Sequence, residues 1–259
     1  MASLKAIVGC LGIDAGAEIS VLGEVFGFIR RRVPTDPDTT VTAQVSLLGL
    51  IRGAKQQHIH LNIIRVGFDA ISGGATAQDD ALHKLDYALY RMRNIYAQVS
   101  LGVGRVEHYF IDAADAGGFD DLGSEDEADD LIAAWSVPNS GVDAFVVRNI
   151  SSSDFVGKAS DIPGECDKEA KDDGVVAGEI GRGFEAFART FSHEVGHHLG
   201  LSHNHGGDPD CPGTTAGCNN LMAQTRCATS CGGGTRTAVL LTSGQGSTMR
   251  SHCSVHGGC

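Results

Sequence analysis

The chain has 259 residues, a formal net charge of -12, and an ordinary globular composition of 42% hydrophobic and 20% charged residues. That charge argues against nonspecific binding to nucleic acid or to an anionic membrane, and no run is long and apolar enough to cross a bilayer. Thirty-five glycines and only 6% aromatics point to many turns and an interior filled with small side chains.

Residues 1–55 carry an alternating, strand-like stretch at Val41–Leu47 behind a Pro/Asp turn cluster, and nothing in them suggests chemistry. They read as an N-terminal extension or a propeptide remnant. From residue 58 the pattern sharpens. His58 to Val66 reads as a strand. A helix is predicted over 77–97, with Leu82, Leu85, Leu89, Met92 and Tyr96 at helical spacing, and a second strand from Val99 to Ile111. Ser124-Glu125-Asp126-Glu127 is a capping-box pattern that opens a short helix running to Trp135. Val142 to Val147 is a compact buried strand, and Gly174 to Ile180 holds a shorter one. A helix over 183–199 follows, with Phe184, Phe187, Phe191, Val195 and Leu199 as its core-facing stripe. Beyond Gly200 no regular periodicity is visible until Ala238–Leu241. The alternation of strand and helix predicts an α/β fold, a sheet packed by helices, followed by an irregular, cysteine-rich C-terminal part.

Six of the eight cysteines fall after position 210: Cys211, Cys218, Cys227, Cys231, Cys253 and Cys259. Such crowding fits disulfides formed in an oxidising compartment, hence a secreted protein; a second zinc site using Cys227 and Cys231 is the competing reading. Met1 to Cys10 is not a convincing signal peptide, so the expectation is a trimmed segment of a longer secreted precursor. The acidic run Asp120–Asp130 reads as a solvated loop leading into a helix N-terminus, with a calcium site as the sharper alternative. Asp208 and Asp210 likewise suit a turn first and calcium second.

The chemistry is carried by His193-Glu194-Val195-Gly196-His197-His198-Leu199-Gly200-Leu201-Ser202-His203. Positions i and i+4 share one helix face, so His193 and His197 can aim at a single point. Glu194 is next to the first of them and within reach of a water on a metal held there. Gly200 tolerates a positive φ, which lets the helix stop and the chain bend so that His203 returns as a third ligand. Three protein ligands leave one tetrahedral position for water, as catalytic zinc requires.

This stretch resembles the extended zinc-binding motif of the metzincin metallopeptidases, and Asn219-Asn220-Leu221-Met222-Ala223 resembles the Met-turn of that clan. The resemblance implies zinc ligands at His193, His197 and His203, a general base at Glu194, the turn at Gly200 and the Met-turn residue at Met222. It also implies a twisted, mostly parallel sheet whose antiparallel edge strand lines the substrate cleft. No Tyr follows Met222 at the short spacing seen in astacins and serralysins, and Asn204 after the third His assigns no subfamily.

Of the other histidines, His198 points about 100° away from His197 around the helix and suits packing or surface. The spacing after Gly200 favours His203 over His205 as the third ligand. His58 and His60 share a strand face and are an outside candidate for a second metal, and His252 and His256 read as a solvated tail. The resulting expectation is a monomeric, secreted zinc endopeptidase with its catalytic domain at 56–259, an upper part to about 200 and a lower part beyond. Its protein or peptide substrate would lie extended along an edge strand, with neither nucleic acid nor membrane as partner. The rival readings are a zinc-containing binding module without turnover and a zinc hydrolase of small amides.

Overall fold

A computed structural model describes residues 57–166, 173–181, 183–204, 219–224 and 238–257. Its first strand, β1 (Gln57–Val66), alternates as a strand buried on both faces must. Ile59, Leu61 and Ile63 point into one core, and Ile64 and Val66 into another. The helix α1 (Ala75–Ala97) leads to β2 (Leu101–Ile111), which pairs parallel with β1. A two-residue strand β3 (Asp121–Leu122), the helix α2 (Glu125–Ala134), and β4 (Val142–Val147) follow. β3 pairs with β5 (Asn149–Ile150) in a small separate sheet. β6 (Gly157–Ala159) and β7 (Val175–Ala177) precede the helix α3 (Phe184–His198). The chain closes with α4 (Ser243–Arg250) and β8 (Val255–Gly257).

The main sheet runs β2-β1-β4-β7-β6, with β8 also pairing antiparallel to β1. The β1–β2, β1–β4 and β4–β7 pairs are parallel, whereas β6 is antiparallel to β7. β4 and β7 repeat the alternation of β1: Val142, Ala144, Val146, Val175 and Ala177 join the core under α1 and α3, and Phe145, Val147 and Val176 join the one with Leu131 and Ile132 of α2. The fold is therefore a mostly parallel sheet with helices on both faces, as the strand–helix alternation predicts. Among the described residues no helix is long and apolar enough to cross a membrane.

The capping residue Ser124 accepts from the Glu127 backbone N–H, as expected, but the Glu127 carboxylate reaches the Gly123 N–H in place of that of Ser124. Much of the acidic run is bound to cations: Asp120 accepts from Arg148 at 2.8 Å, and Asp129 pairs with Lys158 of β6. Its first helical turn holds Glu125, Asp126 and Glu127, where the helix dipole favours them.

The C-terminal part departs from the irregular tail expected of it. α4, Ser-Gly-Gln-Gly-Ser-Thr-Met-Arg, has too few apolar residues for a periodic stripe. Its start is fixed by a capping box, Thr242 accepting from the Gln245 N–H while the Gln245 side chain accepts from the Thr242 N–H. β8 then returns the chain to β1. The disulfide joins Cys166 to Cys253, tying the segment before β7 to the α4–β8 connection. Cys10, Cys211, Cys218, Cys227, Cys231 and Cys259 lie outside the described residues, as do residues 1–55, His205, Asp208 and Asp210.

Candidate metal centre

α3 carries its stripe as read from the sequence: Phe187, Phe191, Val195 and Leu199 are buried in the core and Phe184 packs against it. Polar bonds to α1 fix the helix along its length. Glu185 accepts from the Tyr87 hydroxyl at 2.8 Å and from two nitrogens of Arg91, and the Tyr96 hydroxyl donates to the Ser192 carbonyl. At its C-terminus Leu201 N–H donates to the Gly196 carbonyl and Gly200 N–H to that of His197, the paired bonds of a Schellman motif. Gly200 holds φ +91°, which requires a glycine and sends the chain back towards the helix.

That reversal brings three imidazoles together. His197 Nε2 lies 2.9 Å from His193 Nε2 and 3.1 Å from His203 Nε2. The other ring nitrogens identify the tautomers. His193 Nδ1 faces the Leu221 carbonyl oxygen at 2.8 Å, and His197 Nδ1 faces that of Leu201 at 2.6 Å. A carbonyl oxygen can only accept, so each Nδ1 carries the proton and each Nε2 presents a lone pair. Two lone pairs held 2.9 Å apart repel each other unless a cation lies between them. A tetrahedral zinc with Zn–N of about 2.0–2.1 Å spaces its nitrogens about 3.3 Å apart, close to what is seen here. The donor set thus fits zinc, and carbonyl bonds at the far ring nitrogen are the usual means of orienting such ligands. Burial, reinforced by the neighbouring imidazoles, holds His193 down to about 3. Burial likewise holds His197 down to about 4, so both are neutral at neutral pH.

Leu221, whose carbonyl orients His193, belongs to the segment that carries Met222. Met222 is fully buried; its N–H donates to the Asn220 side-chain oxygen, and its carbonyl accepts from the Asn204 N–H next to His203. Its sulfur packs under α3 at Gly196, where an added β-carbon would lie 2.9 Å from Sδ. The residue singled out after the third histidine therefore packs against α3 at Gly196, next to His197 in the sequence.

Glu194 is buried on α3 beside His193, and its carboxylate rests against the edge strand β6. A β-carbon at Gly157 would stand 2.7 Å from Glu194 Oε1. Gly157 and Gly196 escape the sequence reading. Gly196 left a trace as a helix-interior glycine without an evident reason, but Gly157, in a three-residue strand, left none.

Of the remaining histidines, His198 packs as expected, whereas the C-terminal pair departs from expectation. His198 is buried, its Nδ1 3.3 Å from Asp173 Oδ1 and its Nε2 3.3 Å from Ser254 Oγ. His252 and His256 are not a solvated tail. His252 Nε2 lies 2.9 Å from the Gly164 carbonyl oxygen, and the His256 ring stacks on His60 at 4.5 Å between centroids because β8 pairs with β1. His58 and His60 lie 5.0 Å apart, centroid to centroid. The His60 and His256 rings stack face on face rather than converging on a point. Among the described residues two groups have metal-holding geometry: the three histidines above, and Cys166 with His252 and Cys253. No carboxylates of the acidic run enter either group.

No protein-family model matches the chain, and no curated protein matches it. Among solved structures it is similar to metalloproteinase-II from Bacteroides fragilis, with a TM-score of 0.43 and 12% identity, over 87% of this chain and 60% of that one. The chain thus spans about three fifths of the length of that neighbour.

Proposed function

We propose that the chain is a zinc-dependent endopeptidase of the metzincin kind, with His193, His197 and His203 as ligands and Glu194 as general base. One observation carries the reading: the Nε2 atoms of His193 and His203 lie 2.9 and 3.1 Å from that of His197, while backbone carbonyls face the opposite nitrogens of His193 and His197. When bound, zinc supplies a Lewis acid that lowers the pKa of water to about 7 and polarises a carbonyl.

The chain's own groups do the rest. Glu194 takes a proton from the attacking water and returns it to the leaving nitrogen. Its burial against α3 and β6 keeps the carboxylate in one place, which is what proton transfer at hydrogen-bond range requires. β6 ends the main sheet, and an extended peptide laid antiparallel or parallel to such an edge gains main-chain hydrogen bonds beside Glu194. The Leu221 carbonyl orients His193, and Met222 packs against Gly196 of the same helix. Residues 56–200 would form the upper wall of the cleft and 201–259 the lower one. The Cys166–Cys253 bond suits an oxidising compartment and so a secreted enzyme.

The test is cleavage of an unstructured protein by the zinc-loaded chain, by Glu194→Gln, and by the wild type stripped with a chelator and then resupplied with zinc. Cutting is expected from the wild type and the resupplied protein alone. Zinc binding without cleavage would instead favour a binding module, and turnover of small amides alone would favour a hydrolase of another class.

A further inference from the structure

We propose that Cys166, Cys253 and His252 form a second zinc site, closed by the disulfide and opened by its reduction. It uses none of the three-histidine ligands, lies at the junction of the segment before β7 with the α4–β8 connection, and does not depend on the peptidase reading.

Ligand geometry comes first. One donor atom from each of the three residues lies within 4.8 Å of the others. Two thiolates on one zinc, at Zn–S of about 2.3 Å, stand about 3.8 Å apart. That separation falls inside the span of the group once the sulfur–sulfur bond is gone. The Cα atoms are 5.9 Å apart, so side-chain rotation separates the sulfurs without moving either backbone.

His252 keeps one ring nitrogen available for a metal. Its Nε2 sits 2.9 Å from the Gly164 carbonyl oxygen, which fixes the proton on Nε2 and leaves the lone pair on Nδ1. Nδ1 now accepts only a long 3.2 Å bond from the Ser254 N–H. A ring with one nitrogen donating to a carbonyl and the other free to exchange a weak bond for a metal is the arrangement that metal-bound imidazoles use.

Space and access complete the site. A cavity of about 60 Å³ adjoins the pair, lined by Glu165, Cys166, Asp173, His198, Cys253 and Ser254 among others. A water needs about 10–15 Å³ of such volume, so a fourth, water ligand fits. Both cysteines are exposed, which gives the cation a path from solvent.

The chemistry balances with a dithiol as reductant. The dithiol gives two electrons and two protons and closes to its own disulfide, while the Cys166–Cys253 bond breaks to two thiols. Zinc then displaces the two thiol protons to solvent as both sulfurs become thiolates. The pair is thus a staple where oxidants prevail and a zinc clamp where thiols stay reduced.

The experiment compares oxidised protein with protein reduced by dithiothreitol and desalted under argon, each titrated with zinc against a chromophoric chelator and with cobalt(II) for its thiolate charge-transfer band. Reduced wild type is expected to hold at least one zinc more than the oxidised form. Cys166→Ser and Cys253→Ser, reduced in the same way, should each hold one zinc fewer than reduced wild type, since the remaining cysteines are common to all three proteins. His252→Ala, which keeps both cysteines, should weaken binding of that zinc by more than the roughly ten- to hundredfold that losing a mere outer partner costs. In a His193→Ala/His197→Ala variant the increment should persist, whatever becomes of the peptidase reading. Reduced wild type that holds no more zinc than its oxidised form or than the reduced serine variants, or an increment that vanishes with the three-histidine centre, would each overturn the proposal.

Discussion

Gly157 of the edge strand β6 stands directly against the Glu194 carboxylate: a β-carbon there would lie 2.7 Å from Oε1 and 2.8 Å from Cγ. The contact is with the carbons of the acid as well as its oxygen, so a side chain at 157 must push the whole carboxyl group aside. Strand and helix are each held by other contacts, β6 by β7 and α3 by α1, and neither can retreat cheaply.

Gly157→Ala is therefore expected to lower peptidase turnover with little effect on metal binding. A displacement of about 1 Å at a catalytic group costs up to about a hundredfold in rate. Zinc stoichiometry should stay close to wild type, while overpacking at 157 should cost about 1–3 kcal/mol of stability. The pH profile of the residual activity should shift as well, since Glu194 would meet a changed environment. Wild-type rates in Gly157→Ala would remove the strand from the argument for proton transfer.

The Glu185–Arg91 pair gives a stability prediction. Both side chains are largely buried, 4% and 13% exposed, at 2.7 Å, and Tyr87 adds a further bond to the same carboxylate. Burial and the adjacent carboxylate raise the Tyr87 phenol well above its usual range, so it donates at any working pH. Glu185→Ala strands Arg91 in the interior, and breaking a buried pair from one side costs about 3–5 kcal/mol. Chemical denaturation should show that loss, and Arg91→Met combined with Glu185→Leu should recover most of it. An unchanged midpoint in Glu185→Ala would mean that water replaces the acid.

How much of this was legible beforehand follows from where the apolar residues lie. β1, α1, β2, β4 and α3 were readable because each carries a compact apolar run or a periodic stripe, and their ends fall within two residues of expectation. The spacing from His193 to His203 also announced the convergence, since a helical i, i+4 pair and a glycine turn leave few other outcomes. α4 was invisible because Gly244, Gly246 and its serines give no stripe; only Thr242 and Gln245 hint at a start. β6 and β8, three residues each, form because neighbouring strands offer partners, which is tertiary information. For the same reason His256 could not be read as a neighbour of His60, nor Cys166 as the partner of Cys253.

Gly200 links the helix terminus to the metal centre. At φ +91° a β-carbon is strained and would also meet Thr248 Cγ2 at 3.3 Å. Gly200→Ala should destabilise the fold by about 1–3 kcal/mol. Because the Schellman turn also aims His203, zinc affinity should fall further than in a distant variant of equal stability. Calorimetric zinc titration beside denaturant unfolding separates the two effects. A stability loss with unaltered zinc affinity would show that His203 is positioned from its other side.

Acid sensitivity can be derived from the imidazoles. Burial first, and then neighbouring His256, His58 and Arg105, hold His60 down to about 4; burial and adjacent imidazoles hold His193 down to about 3, and burial leads for His197 at about 4. In the unfolded chain each titrates near 6.5. Above pH about 6.5 neither state binds these protons, and stability is insensitive to them. Below it the unfolded chain takes up protons that the folded chain refuses, so stability falls as pH drops from about 6.5 towards about 4, at up to ~1.4 kcal/mol per pH unit for each such imidazole. Urea midpoints of the metal-free protein at pH about 7.5, 6 and 5 should accordingly decline, with the steeper fall in the lower interval. Zinc, which binds only the neutral rings, should raise the midpoint most at the highest of those values. A metal-free midpoint that stays level or rises on acidification would mean that these rings are charged in the folded protein, and the assignment of bare Nε2 lone pairs at the three-histidine centre would fall with it.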